Sequence, residues 1–185
     1  MATMRPAGRW ITVGEHYVRD IVYAANDGIV TTFAVVAGVR GAGLSPWIVL
    51  ALGFANLAAD GLSMAVGNYL GIKSERAVEM KNLFDNRGET LHAMKHAAVT
   101  WVSFAVAGFA PLLPFFFGLS PRWAFWLSVL ISAISLFVVG AGRTIITRRS
   151  PFLNGLEMLL VGALAGSAAF AAGWIVERFA KGHFN

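Results

Sequence analysis

Cysteine is absent from the sequence, which excludes disulfides and thiolate metal sites. Charge is scarce too: 14% of the 185 residues are Asp, Glu, Lys or Arg, where a soluble domain carries about 25%. The charges are clustered and long uncharged runs separate them, which excludes an ordinary soluble domain. The opening residues, MATMRPAGRWITVGEHYVRD, contain no apolar core and no small-residue cleavage site, so no signal peptide is predicted and insertion relies on the first true span. What the chain does have is apolar residues, 57% of the total, with a mean hydropathy of +0.64. These values describe an integral membrane protein. Its net charge of +5 fits the Lys- and Arg-rich cytosolic loops of such a protein better than a nucleic-acid partner.

Five apolar runs are delimited by charges and turn residues: 21–39, 46–72, 97–117, 123–142 and 152–176. Each reaches the roughly 20 residues that a helix needs to cross about 30 Å of hydrocarbon. Strands are not expected, because the runs are long and do not alternate. The sequence therefore predicts a single all-α membrane domain over 1–185, with five transmembrane helices and a short cytosolic connection at 73–96. Within that connection, KSERAVEMKNLF has good helix formers that extend the second helix. DNRGET is expected to break it, with the next helix beginning near Glu89 or Thr90.

Orientation follows from Lys and Arg. Arg5, Arg9, Arg19, Lys73, Arg76, Lys81, Arg87, Lys95, Arg143, Arg148 and Arg149 fall on one side, which is 11 of the 15. Only Arg40, Arg122, Arg178 and Lys181 fall on the other. This asymmetry predicts a cytosolic N-terminus and a C-terminus across the membrane.

Carboxylates inside the spans are the unusual feature. A charge at the centre of a spanning helix costs about 2.5–3.5 kcal/mol on insertion scales. Asp27 in the first span and Asp60 in the second lie 16 residues before and 17 after Gly43. At about 1.5 Å per residue, a hairpin turning near Gly43 sets them at nearly one depth. On the second span Asn56, Asp60, Met64 and Asn68 recur every four residues and form one stripe, with Ser63 beside it. Gly53, Ala59, Gly61 and Gly67 leave room for a close neighbour, and Asn26 adds an oxygen beside Asp27. Carboxylate and amide oxygens suit Mn²⁺ or Fe²⁺, and a thioether favours a transition metal over Mg²⁺ or Ca²⁺. Protons competing for the same oxygens would give a carrier its coupling. Taken singly, each of these residues also has an ordinary reading: the Asp and Asn residues as interhelical hydrogen-bonding groups, and Met64 as core filling.

Other polar residues carry less. Glu157 suits the N-terminal dipole of the fifth helix or a pairing with Arg148 or Arg149. Pro111 and Pro114 kink or end the third helix. Glu75 and Glu79, and likewise His92 and His96, are spaced i,i+4 in the connection. Among interspersed basic residues they read as a solvated, salt-bridged surface, with metal collection as a secondary role.

The segments RDIVYAANDGIVTTFAVVAG, ADGLSMAVGNYLGIKSE, PLLP and RSPFLNGLEMLLVGALAG together resemble the vacuolar iron transporter family from about Tyr17 to the end of the fifth span. The resemblance implies a five-helix homodimer in the lipid bilayer that moves Fe²⁺ or Mn²⁺ out of the cytosol against H⁺. It matches the family's span-one aspartate to Asp27 and its span-two methionine to Met64, on a path near the dimer interface. Two features depart from the better-known eukaryotic members. Asn56 stands where they carry glutamate, while Asp60 stands where they carry a small residue. The long glutamate-rich cytosolic domain is replaced by about twenty residues. The expected setting is a bacterial plasma membrane, with a vacuolar membrane as the alternative. Two other functions compete with a carrier: an intramembrane aspartyl protease built on paired aspartates, although its GxGD pattern is AADG here, and a non-transporting scaffold subunit held by small-residue helix faces such as GALAGSAAFAAG.

Overall fold

The computed structural model describes residues 13–79 and 86–183, and these are helical almost throughout. The order is α1 (Val13–Gly41), α2 (Pro46–Glu79), α3 (Asn86–Phe109), a 3₁₀ segment (Ala110–Phe116), α4 (Pro121–Gly142), a one-turn α5 (Thr144–Thr147) and α6 (Pro151–His183). Five stretches are long and apolar enough to cross a membrane: Tyr17–Gly41, Pro46–Ala77, Thr90–Phe116, Pro121–Gly142 and Pro151–Gly182. The five-span expectation holds, with longer helices than the apolar runs. Polar ends can extend a helix past the hydrocarbon because the helix satisfies its own backbone.

The helices run into the connection expected at 73–96 from both sides. α2 continues to Glu79, as its helix formers predicted. α3 begins at Asn86, so the expected break at DNRGET is corrected: from Asn86 onward those residues are helical. Glycine in a first turn costs a helix only about 1 kcal/mol, which a long following helix absorbs.

The turn between α1 and α2 forms as the glycine predicts. Gly43 has φ +64°. Leu44 N–H donates to the Val39 carbonyl at 3.1 Å and Gly43 N–H to the Arg40 carbonyl at 3.2 Å. These two bonds are the paired closure of a Schellman cap. Pro46 then opens α2, where its missing N–H costs nothing. The two helices leave this turn antiparallel.

Pro111 and Pro114 end the α-helical part of the third span and tighten it into 3₁₀ geometry. A proline cannot donate to the preceding turn, and a freed carbonyl inside a bilayer needs a partner. Ser128 of α4 supplies one by donating to the Pro111 carbonyl at 2.7 Å.

The one-turn α5 was not foreseen. Arg148 closes it in the left-handed region at φ 54°. Asn154, 2% exposed, donates from one amide to Thr144 Oγ1 and Thr147 Oγ1 at 3.1 and 2.8 Å. That buried amide ties the α5 turn onto the start of α6. Glu157 pairs with Arg143 at 3.4 Å rather than with Arg148 or Arg149, because Arg143 sits at the end of α4, beside the first turns of α6.

α1 occupies the centre, packed against α2, α3, α4 and α6. Its Ala24, Ile29 and Val36 are buried together with Phe104 and Leu112. Gly28 of α1 lets α3 approach closely: a Cβ there would collide with the Phe104 carbonyl, and one at Gly108 would meet the Gly28 carbonyl at 2.7 Å. Gly162, Gly166 and Gly173 of α6 seat against Leu136, Phe33 and the Gly38 backbone, so the small-residue face of the fifth span is used in packing. Large apolar side chains cover the outside, among them Val106, Leu164 and Val138. Trp47, Trp123 and Trp174 are exposed at the end of the bundle that holds the Gly43 turn, where amphipathic rings suit a membrane–water boundary. Among the described residues, the opposite end carries most of the Lys and Arg and is called the basic end below.

Candidate functional site

One hydrogen bond sets the register of the predicted stripe. Thr31 Oγ1 donates to the Asp27 carbonyl one turn back on α1, at 2.9 Å, and accepts from Asn56 Nδ2 of α2 at 3.2 Å. The helices are antiparallel, so four residues forward from Asn56 meet four residues back from Thr31. Those positions are Asp60 and Asp27. Both are half-buried, and they lie close enough for their like charges to interact. Met64 continues the stripe and packs against the buried core. Asn68, one turn further, donates to Thr100 Oγ1 of α3 at 2.7 Å. The four-residue spacing therefore lies on one surface of α2, facing α1 at Asn56 and α3 at Asn68.

Some expected members stand apart. Ser63 is exposed, on the side of α2 turned from its neighbours. Asn26 lines a different cavity of about 100 Å³, with Tyr23 of α1, Val139 and Arg143 from the α4 end and Met158 of α6. A one-residue step rotates a helical side chain by about 100°, which separates Asn26 from Asp60. Of the small residues, Gly53 faces Leu112, and Gly61 faces Phe104 and Trp101. Gly67 has nothing within 4 Å and Ala59 is exposed.

At the basic end, α1, α2 and α3 enclose a cavity of about 720 Å³. Asn68 lies in its wall, so the foot of the stripe opens into it. Glu75 is exposed and lines the same cavity with Arg19, Arg76 and His92; the Glu79 side chain lies outside the described residues. The expectation of a solvated surface is corrected at His96, which is 3% exposed. Its Nδ1 lies 2.5 Å from Asp20 Oδ2, and its ring stacks on Tyr17 with centroids 4.0 Å apart and planes 7° apart. His92 lies against it at 4.5 Å between centroids. Sequence reading missed Asp20, Tyr17, Thr31 and Thr100. The available signal was periodicity: Asp20 stands two helical turns before Asp27 on the same face of α1.

Among the described residues, no three His, Asp or Glu side chains converge in a way that could hold a metal ion. A cation at the stripe would therefore meet two carboxylates and complete its shell with neutral oxygens, the Met64 sulfur, water or groups of a second chain.

The model of the VIT family matches residues 18–91 and 78–174. The chain belongs to the VIT family. Similar proteins include vacuolar iron transporter 1 of Eucalyptus grandis and of Arabidopsis thaliana. Each is 27% identical over 221 aligned positions that take in 90% of this chain and 88% of the relative. A vacuolar iron transporter of Plasmodium falciparum is 25% identical, over 86% of this chain and 82% of its own length. The 221 positions exceed the 185 residues available, so these alignments hold residues that this VIT chain lacks. The two matched segments meet at 78–91, the connection between α2 and α3.

Proposed function

We propose that this VIT family chain carries divalent iron, and Mn²⁺ as a chemically similar cargo, out of the cytosol in exchange for protons. The observation that carries this reading is the Asn56–Thr31 hydrogen bond, which registers α2 on α1 so that Asp27 and Asp60 stand level inside the spans. Two carboxylates at one depth can balance a divalent charge, and when the ion leaves, their repulsion favours taking up protons. Met64 supplies a soft ligand next to hard ones, a mixture suited to a first-row transition metal, and Asn56 supplies an amide oxygen. The path starts at the basic-end cavity, assigned to the cytosol by the positive-inside rule, and passes Asn68 and Met64 to the aspartates.

Family membership makes the protein a transporter and not an enzyme, which removes the aspartyl protease reading. The relatives named as iron transporters support iron as cargo. The short connection between α2 and α3 supports direct delivery of metal to the cavity, without a large cytosolic collecting domain. A homodimer fits the incomplete ligand count of one chain, and metal homeostasis in a bacterial plasma membrane or a vacuolar membrane is the corresponding physiological role.

The test is uptake of radiolabelled Fe²⁺, kept reduced, into proteoliposomes with and without an imposed pH gradient. Uptake that rises with an outward-directed proton gradient, the lumen being acidic, and is lost in Asp27→Asn supports the proposal. Flux indifferent to the gradient rejects the proton coupling. Loss in a Met64→Ala variant that remains folded adds the thioether to the ligand set, and chemical cross-linking in the membrane reads the dimer.

A further inference from the structure

α2 and α3 also enclose a second cavity, of about 500 Å³, with residues that the basic-end cavity does not use. Ala65, Ala97 and Ala98 are too small to fill the space between the helices and leave it as a groove. Leu62, Val66 and Met94 are exposed along its walls. Trp101, beside Gly61, closes it towards the membrane interior, and Tyr69 stands at its other end. The groove itself holds no charged side chain.

Its mouth is cationic. Lys73 follows Tyr69 by one turn on the same face of α2. Its Nζ lies 3.5 Å from Tyr69 Oη and 5.6 Å from the centre of the ring. The Asn68–Thr100 hydrogen bond sets the register of α3 against α2. The helices are antiparallel, so five residues forward from Asn68 stand level with five residues back from Thr100. Those positions are Lys73 and Lys95. Lys95 neighbours Ala98 at i,i+3 on α3. Both lysines are exposed, and neither meets a carboxylate among the described residues. Glu75 lines the other cavity. Depth agrees with charge. Lys73 lies 26 residues after Trp47, about 39 Å along α2. With the Trp47 ring at one membrane boundary, that length crosses the roughly 30 Å of hydrocarbon and ends among the headgroups of the opposite leaflet.

We infer that the α2–α3 groove binds an anionic phospholipid of the leaflet at the basic end. One acyl chain lies along Ala65, Ala98 and Trp101. The phosphate sits at the mouth, between Lys73 and Lys95, and accepts from the Tyr69 hydroxyl. Charge complementarity selects this occupant, since lysines near the surface draw anionic lipid. It disfavours a second copy of the chain. A two-fold axis along the membrane normal lays like ends side by side, so copies joined at this groove would bring their lysines together, where like charges repel. The bound lipid bridges α2 and α3 beside the Asn68–Thr100 bond. No proton or metal takes part, so the site stands or falls apart from the carrier reading.

Trp101 reports the contact, because bromine on an acyl chain quenches an indole that it touches. The full chain in uncharged detergent is titrated with phosphatidylglycerol or phosphatidylcholine, each brominated on the same acyl chain. The Trp101 signal is the difference from Trp101→Phe. Phosphatidylglycerol is expected to quench Trp101 at about tenfold lower concentration than phosphatidylcholine. Lys73→Gln combined with Lys95→Gln is expected to bring the two lipids within about twofold, and Ala98→Phe, which fills the groove, to remove Trp101 quenching by both. Equal quenching by the two lipids in wild type would mean ordinary boundary lipid and overturn the inference. A preference that survives the double lysine substitution overturns it too, as does reversal by glycerol phosphate, which would mean an anion site with no use for the groove. The natural chain has no cysteine, so a disulfide between copies of Val66→Cys in the membrane would show a second copy in the groove and overturn the lipid assignment. If Trp101→Phe does not fold, native mass spectrometry of wild type and the double lysine variant reads the same lipid preference.

Discussion

Asp20 and Asp27 share one face of α1, two turns apart, and live in opposite chemistries. Asp20 touches a buried imidazole, a partner that can bear positive charge and neutralise it. Asp27 stands level with a second carboxylate, Asp60, one turn from the Asn56–Thr31 hydrogen bond. The first arrangement pairs its carboxylate with a ring nitrogen. The second is satisfied only when something positive, a metal ion or a proton, joins it.

The contrast is sharpest at Asp27. Asp27→Asn removes half of the negative charge available to a divalent ion, and Fe²⁺ uptake is expected to fall by more than the roughly 10–100-fold typical of residues that only support ligands. Detergent-solubilised variant and wild type should show the same helix content by circular dichroism. If Asp20→Asn costs uptake as much as Asp27→Asn does, the two carboxylates act alike and the contrast breaks.

Asp60 gives the next effect. The pair Asn56→Asp with Asp60→Asn moves a carboxylate one turn, about 6 Å, along the same stripe. Uptake is expected to recover to within about tenfold of wild type, with an altered Fe²⁺ to Mn²⁺ ratio measured in mixed-metal assays, because ligand type and spacing tune metal choice. Failure to recover anything would mean that depth, and not only charge, defines the site.

Stability separates the two regions as well. Gly28→Val, one residue past Asp27, drives side-chain atoms into the backbone of Phe104. It is expected to cost about 1–3 kcal/mol or more, read as a lower unfolding temperature in detergent and a lower yield. Glu157→Gln removes an exposed contact with Arg143 at the same end as Asp20. Its expected cost is under about 1 kcal/mol, at the limit of the same measurement.

Much of this was legible in the residue order, for identifiable reasons. Spans were readable because predominantly apolar runs longer than 18 residues have few other uses in a protein. The Asn56–Asp60–Met64 stripe was readable because local spacing on one helix is preserved whatever the helix packs against, and Gly43 announced the turn that levels the aspartates. The Asp20–His96 contact was not readable, because 76 residues separate its members and His96 stood out only by its spacing from His92. Asn26 lines a separate cavity for a local reason: adjacency in sequence is not adjacency on a helix. The break at DNRGET was misjudged because a glycine weighs little at the start of a 24-residue helix.

The glycine contact between α1 and α3 has a mechanical meaning. Where two main chains touch through hydrogen alone, there is no side chain to slide, swivel or repack, so relative motion at that level must pull the helices bodily apart. α1 and α3 behave there as a single plate, and Asp27, Asp20 and His96 are all mounted on it. α2, which carries Asp60 and Met64 past that plate, is tied to it among the described residues by two side-chain hydrogen bonds, Asn56 to Thr31 and Asn68 to Thr100.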